Sequence, residues 1–175
     1  MEWNDFLIER IVNTFLSFFR EKIPPGFTVF FLSMLPTPNL KGGILAAKLL
    51  NVNVIEAILV GSAGNILPIP FVLMFTKKAV AFLKHRGHMT KFVVKLEKKM
   101  ENNKEKILRY EYLGLFAIVA SSLPGMGGWS GAIVAAMLEM DVKKSLIIIT
   151  SGIFCSAIIL SLLIYGGAGL INLLR

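Results

Sequence analysis

The sequence predicts an all-α integral membrane protein of two inverted repeats. Each repeat holds an amphipathic helix, a re-entrant helical hairpin and one transmembrane helix. Three observations lead there: an apolar, charge-poor composition, two long uncharged runs, and a match of the chain to itself at an offset of 88 residues. Hydrophobic residues make up 55% and charged residues 17% of 175, with a mean hydropathy of +0.68. Soluble domains carry roughly 25% charged residues. Val54 to Phe75 and Ser145 to Gly167 are each long enough for a hydrocarbon core of about 30 Å, and neither has a charge in its middle. A buried core helix of a soluble protein rarely stays apolar for so long.

The N-terminal segment is expected to form an interfacial helix. Trp3, Phe6, Leu7, Ile11, Phe15, Phe18 and Phe19 make an apolar stripe against Asp5, Glu9, Arg10, Asn13 and Ser17. It has no basic region followed by a small-residue cleavage site, so it does not read as a removable signal peptide. Pro24 and Pro25 end it.

Eleven of the nineteen Lys and Arg residues fall between Lys77 and Arg109, which assigns the linker 77–109 to the cytoplasmic side of the cell (plasma) membrane. Phe92, Leu96, Met100 and Ile107 fall near one face of a second interfacial helix. Beyond Phe92 the linker lacks interleaved aromatics, and it has no recognition motif, so no nucleic-acid partner is expected. His85 and His88, crowded by cations, and the single Cys155 offer no metal site, and no cofactor is implied.

Between these segments the chain repeats. "SMLPTPNLKGGILAAKLLNVNV" aligns with "SSLPGMGGWSGAIVAAMLEMDV", matching Ser33, Leu35, Pro36, Gly43, Ala47, Leu50 and Val54 with identical residues 88 positions on. Unrelated apolar stretches agree often in leucine and seldom in proline and glycine together. Repeat one covers about 3–85 and repeat two about 89–175 of a single membrane domain, 1–175. The broken stretches admit two readings. As kinked spans they give four crossings and parallel repeats. As hairpins, each arm of about nine residues reaches about 13 Å, half of the core, and the halves are inverted. Pro36, Pro38, Pro124 and Gly131 then form the structural tips. Backbone amides at such depth survive only against protein or a watery cavity. Two tips meeting at the midplane are a recurrent transporter arrangement.

The blocks "LPTPNLKGGILAA", "GSAGNILPIPF" and "LPGMGGWSGAIVAAML" resemble signatures of the small multidrug export protein family, which is similar in turn to the DedA family of membrane proteins. The resemblance to DedA proteins implies two inverted re-entrant hairpins and movement of lipid phosphates, polyprenyl phosphates among them. The export name implies drug efflux. Asn39, Leu40, Lys41 and Gly42 stand where the family pattern has Glu, a variable residue, Arg and Gly, so the acid beside the cation is missing.

The expected substrate site is Asn39, Lys41, Gly42, Gly43, Asn65, Gly127, Gly128, Trp129 and Ser130. A charge near mid-membrane costs at least about 2.5 kcal/mol, which makes Lys41 the leading candidate; the plain alternative is snorkelling or capping. It lies at a helix N-terminus that favours anions, with Gly42 and Gly43 admitting close approach. Asn65 could hold substrate or satisfy carbonyls freed by Pro68 and Pro70. Trp129 replaces Lys41 at the aligned position, as an apolar wall or as packing. Ser130 could donate a hydrogen bond or simply pack. Glu56, Glu139 and Asp141 read as interfacial charges or proton sites.

These residues predict a small transporter or flippase for an anionic amphiphile such as a polyprenyl or other lipid phosphate, with membrane lipids around it. Proton-coupled export of small amphipathic drugs is the alternative, and a structural membrane protein without transport the third. No nucleophile–base pair or nucleotide loop points to an enzyme. A chain this small is expected to pair as a homodimer to enclose a cavity.

Overall fold

The computed structural model describes residues 10, 14, 23–85, 104–121 and 126–166. The expected interfacial helices over 3–19 and 92–107 fall mostly outside that set, as do Pro124 and most of the linker. Among the described residues the chain is helical, without strands: α1 Pro25–Met34, α2 Asn39–Leu49, α3 Val54–Ile66, α4 Ile69–His85, α5 Lys104–Ala120, α6 Gly128–Met137 and α7 Val142–Ser161, continued by a π turn over Leu162–Gly166.

α1 opens on Pro25, whose fixed φ and missing N–H suit a first helical position. It ends at Met34, and residues 35–38 turn the chain, with a cis Thr37–Pro38 peptide. α2 then runs back along α1. Gly43 makes the approach possible: a Cβ there would collide with Ser33 Oγ and meet the Val29 carbonyl. At 10 and 11 residues, α1 and α2 are each about 15 Å long, half a hydrocarbon core. The hairpin closes where it began, for Gly26 lies against the Glu56 carboxylate at the start of α3.

The turn out of α2 recurs at the end of α6. Val52 N donates to Ala47 O (2.8 Å) and Asn51 N to Lys48 O (3.2 Å); Met140 N donates to Ala135 O (3.0 Å) and Glu139 N to Ala136 O (3.2 Å). These bonds make a Schellman closure, with Asn51 and Glu139 in the left-handed position at φ 56°. The next helices start alike. Asn53 caps α3 at Ile55 N (2.9 Å), and Asp141 caps α7 at Lys144 N (2.9 Å). The residues of the two turns and the two capping residues are separated by 88 positions; the capped amides, Ile55 and Lys144, by 89.

Two helical paths are long and apolar enough to cross a membrane, Val54–Phe82 and Val142–Gly166. The first differs from the uninterrupted span expected over Val54 to Phe75. It breaks at Leu67 and Pro68, because neither Pro68 nor Pro70 can donate to the turn before it. It also reaches farther, to His85. The second starts at Val142, three residues before the expected Ser145.

The two paths run in opposite directions. Tyr165 Oη, at the end of one, donates to Val52 O at the start of the other (2.9 Å). Lys77 Nζ, on α4, donates to Met140 O just before α7. α2 packs against the end of α7, and α6 against α4. Leu40, Ile44, Ile69, Leu115, Val119, Ile149 and Ile153 form a core between them, with small residues such as Ala132, Ala135 and Ala157 letting helices approach closely. The largest exposed side chains point outward from the spans, among them Phe71, Phe75, Ile147 and Leu162.

Candidate functional site

The starts of α2 and α6 meet beside the middle of the two paths. Gly127, at φ 151°, starts α6 against Asn39, which starts α2 at φ 63°; a Cβ on Gly127 would stand 2.7 Å from Asn39 Nδ2. Gly128 lies against Asn65 Oδ1 on one span and Ile153 on the other, at 2.6 and 2.9 Å from a built Cβ. Asn65 and Ile153 are themselves 88 residues apart. Only glycine fits both places.

Asn65 is wholly buried and organises this contact. Its Nδ2 donates to Ser33 O (2.9 Å) and to Asn39 Oδ1. Asn39 Oδ1 also accepts from Leu40 N (2.7 Å), so its oxygen faces inward and the Asn65 amide must present nitrogen to it. Asn65 Oδ1 is left without a hydrogen-bond partner, turned toward Gly128. Such an orphan acceptor is the place for an internal water. A cavity of about 10 Å³ adjoins it, lined by Asn39, Lys41, Asn65, Gly127 and Gly128, together with Val119, Met126 and Ser156. That is room for about one water. No phosphate headgroup fits between the tips as they stand.

Five of the nine expected substrate residues therefore come together, and four take other roles. Gly42 is buried, and its N–H donates to Pro38 O (3.2 Å) inside the helix. Gly43 lies at the close α1–α2 approach. Trp129 Nε1 reaches across to Met34 O (3.3 Å), tying one tip to the other. Ser130 Oγ accepts from Gly127 N (2.9 Å) and donates to Gly127 O (3.0 Å), so it caps its own helix. Among the tip residues, Pro38 is buried, Pro36 is exposed, and Gly131 seats α6 against Val119 and Leu115. Val119 and Ser156 escaped sequence reasoning, because nothing in an apolar run separates the residue that faces a cavity from its neighbours.

A much larger space opens at the other end of the first hairpin. A groove of about 750 Å³ lies between α1, the α2–α3 turn and α3, lined in part by Phe27, Phe30, Leu50, Val60 and Glu56. Lys48 stands apart from it, with Nζ 4.8 Å from the centre of the Tyr165 ring in a cation–π contact.

Among the described residues the chain is all-helical, with two antiparallel paths long and apolar enough to cross a membrane and shorter helices meeting between them. A family model described as "Putative small multi-drug export protein" matches residues 39–159, more than half of the chain, and the chain belongs to that family. Membership and the two apolar paths assign it to a membrane. No curated protein and no solved structure matches it.

Proposed function

We propose that the protein exports small amphipathic molecules by alternate opening of two inverted re-entrant hairpins whose tips form a central gate. The reciprocal pair of closures carries this reading: Tyr165 to Val52 at one end, Lys77 to Met140 at the other, with the tips in contact between. Equivalent closures at both ends of a two-fold arrangement allow one to open while the other holds. The 10- and 11-residue lengths of α1, α2 and α6 support re-entrance, whereas α5 is longer at 17 residues; the opposed paths support inversion, and the basic linker on the Lys77 side belongs to the cytoplasm. No bond-making chemistry is assigned.

Reconstituted protein is expected to move an amphipathic fluorescent dye out of proteoliposomes, faster under an imposed proton gradient. Dye retention equal to that of empty liposomes would remove the export reading.

A second reading has its own support. The N-termini of α2 and α6 converge on the tip cavity, which Lys41 also lines. Two helix N-termini and a cation favour an anion once the tips part. The cargo is then an anionic amphiphile such as a lipid phosphate, as likeness to DedA proteins would imply. Salt-dependent binding of anionic lipid that disappears in Lys41→Ala supports it; binding unchanged by that variant overturns it.

A further inference from the structure

We infer that the groove beside Glu56 is a binding site for amphiphiles carrying a positive charge; its part in transport rests on the export reading. At about 750 Å³ it has the size of a small-molecule pocket. Its wall is apolar, from Phe27, Phe30, Leu50 and Val60, and Glu56 is the one ionisable residue among the described residues that line it. Phe27 is 59% exposed; its ring stacks on Phe31 at 6.5 Å between centroids and still offers aromatic surface to the groove. An apolar wall with a single carboxylate at its edge selects a hydrophobic cation: the wall takes the hydrocarbon and the carboxylate the charge.

Fold construction alone does not require this arrangement. The residue 88 positions after Phe27 is Leu115, only 2% exposed and part of the core, so the two halves differ at this position. The residue 88 positions after Glu56 is Lys144. Both stand in the first turn of a span helix, where the dipole favours an acid and disfavours a base. The same site therefore bears opposite charges at the two ends of the molecule. Gly26 adds a local reason for the groove to stay open, since a Cβ there would come within 3.2 Å of Glu56 Oε1.

Tetraphenylphosphonium and tetraphenylborate, nearly equal in shape and opposite in charge, provide the test. Binding of each to the purified full chain in a zwitterionic detergent is measured by equilibrium dialysis. Tetraphenylphosphonium is expected to bind saturably. Its affinity should fall about fivefold in Glu56→Gln, the scale of one exposed charge pair, and return in Glu56→Asp. Val60→Trp, which keeps the carboxylate and puts bulk into the groove from the same helix face, should weaken binding strongly, while thermal unfolding checks that each variant is folded. Equal affinity in Glu56→Gln, or tetraphenylborate competing as well as the cation, overturns the inference. Cation binding with these responses but without dye export leaves the groove standing and removes the export reading. Dye export with a Glu56-independent cation affinity does the reverse.

Discussion

Tyr165 and Lys77 occupy the same place in the two halves. Tyr165 donates to the carbonyl of Val52, and Lys77 to that of Met140, with donors and acceptors alike 88 residues apart. Each span thus closes on the turn that ends the other half's hairpin. A pair of contacts related in this way is what a two-fold axis within one chain produces. Tyr165→Phe removes one donor and leaves a buried carbonyl unpaired. It should cost about 1 kcal/mol, read as a lower unfolding temperature, and raise thiol labelling near Val52. A wild-type unfolding temperature would mean that the bond does not hold this end.

Opposed spans make a topological demand. Ile55→Cys and Lys143→Cys, equivalent and exposed positions, are introduced singly with Cys155→Ser. In intact vesicles an impermeant maleimide is expected to reach one and not the other. Labelling of both from the same side would contradict inverted halves.

Asn65 bears on the meeting of the tips. Asn65→Ala leaves Ser33 O without its donor and should cost about 1–3 kcal/mol. Asn65→Asp, similar in shape, sets a carboxylate oxygen against two acceptors and should be worse at neutral pH than at acid pH. Equal stability of Asn65→Asp and wild type across that range would show that the amide donor is not needed.

Gly64 and Gly114 separate close approach from helix propensity. A Cβ on Gly64 would collide with the Phe30 backbone carbonyl, which cannot swing away, whereas one on Gly114 meets nothing within 4 Å. Gly64→Ala should destabilise by about 1–3 kcal/mol. Gly114→Ala should be neutral or stabilise by about 0.5–1 kcal/mol. Chemical denaturation of the two variants in the same detergent decides it.

Asp141 gives the fold an acid limit that its counterpart Asn53 does not. The hydrogen bond from Lys144 N, followed by the charges and amides of Lys144, Lys143 and Lys77, holds its carboxyl below the ordinary value. A depressed carboxyl stabilises the fold above its unfolded pKa, near 3.9, and this is lost as pH falls through the lower folded value. Asp141→Asn should keep the cap and flatten that acid slope. An unchanged slope would place the acid sensitivity elsewhere.

Much of this architecture was legible because proline and glycine have few uses in an apolar run. Their coincidence at Pro36 and Pro124, and at Gly43 and Gly131, pointed to a repeat at an offset of 88, and the helices that start at Val54 and Val142 keep that offset. Lys41, Asn39 and Asn65 were visible as polar residues with no reason to be buried singly. Other parts needed tertiary structure. Ser130 could not be known to turn back on Gly127, since a free and a capping serine look alike in sequence. That Gly43 packs against Ser33 and Val29 of α1 has no local signal, since a packing glycine and a ligand-cradling one look alike in sequence. The bonds of Lys77 and Tyr165 join residues 63 and 113 positions from their partners, beyond any local pattern. Neither signal in the aligned pair of Phe27 and Leu115 told which side chain would be left uncovered.

The break at Leu67 and Pro68 has a mechanical meaning. Before it, α3 lies on α1 and α2; after it, α4 lies on α6. A continuous rod would bind the two hairpins together, so that tilting one dragged the other. With the amide hydrogen bonds of Pro68 and Pro70 missing at mid-length, the path is softer there than a continuous rod, so each half is freer to follow its own neighbours.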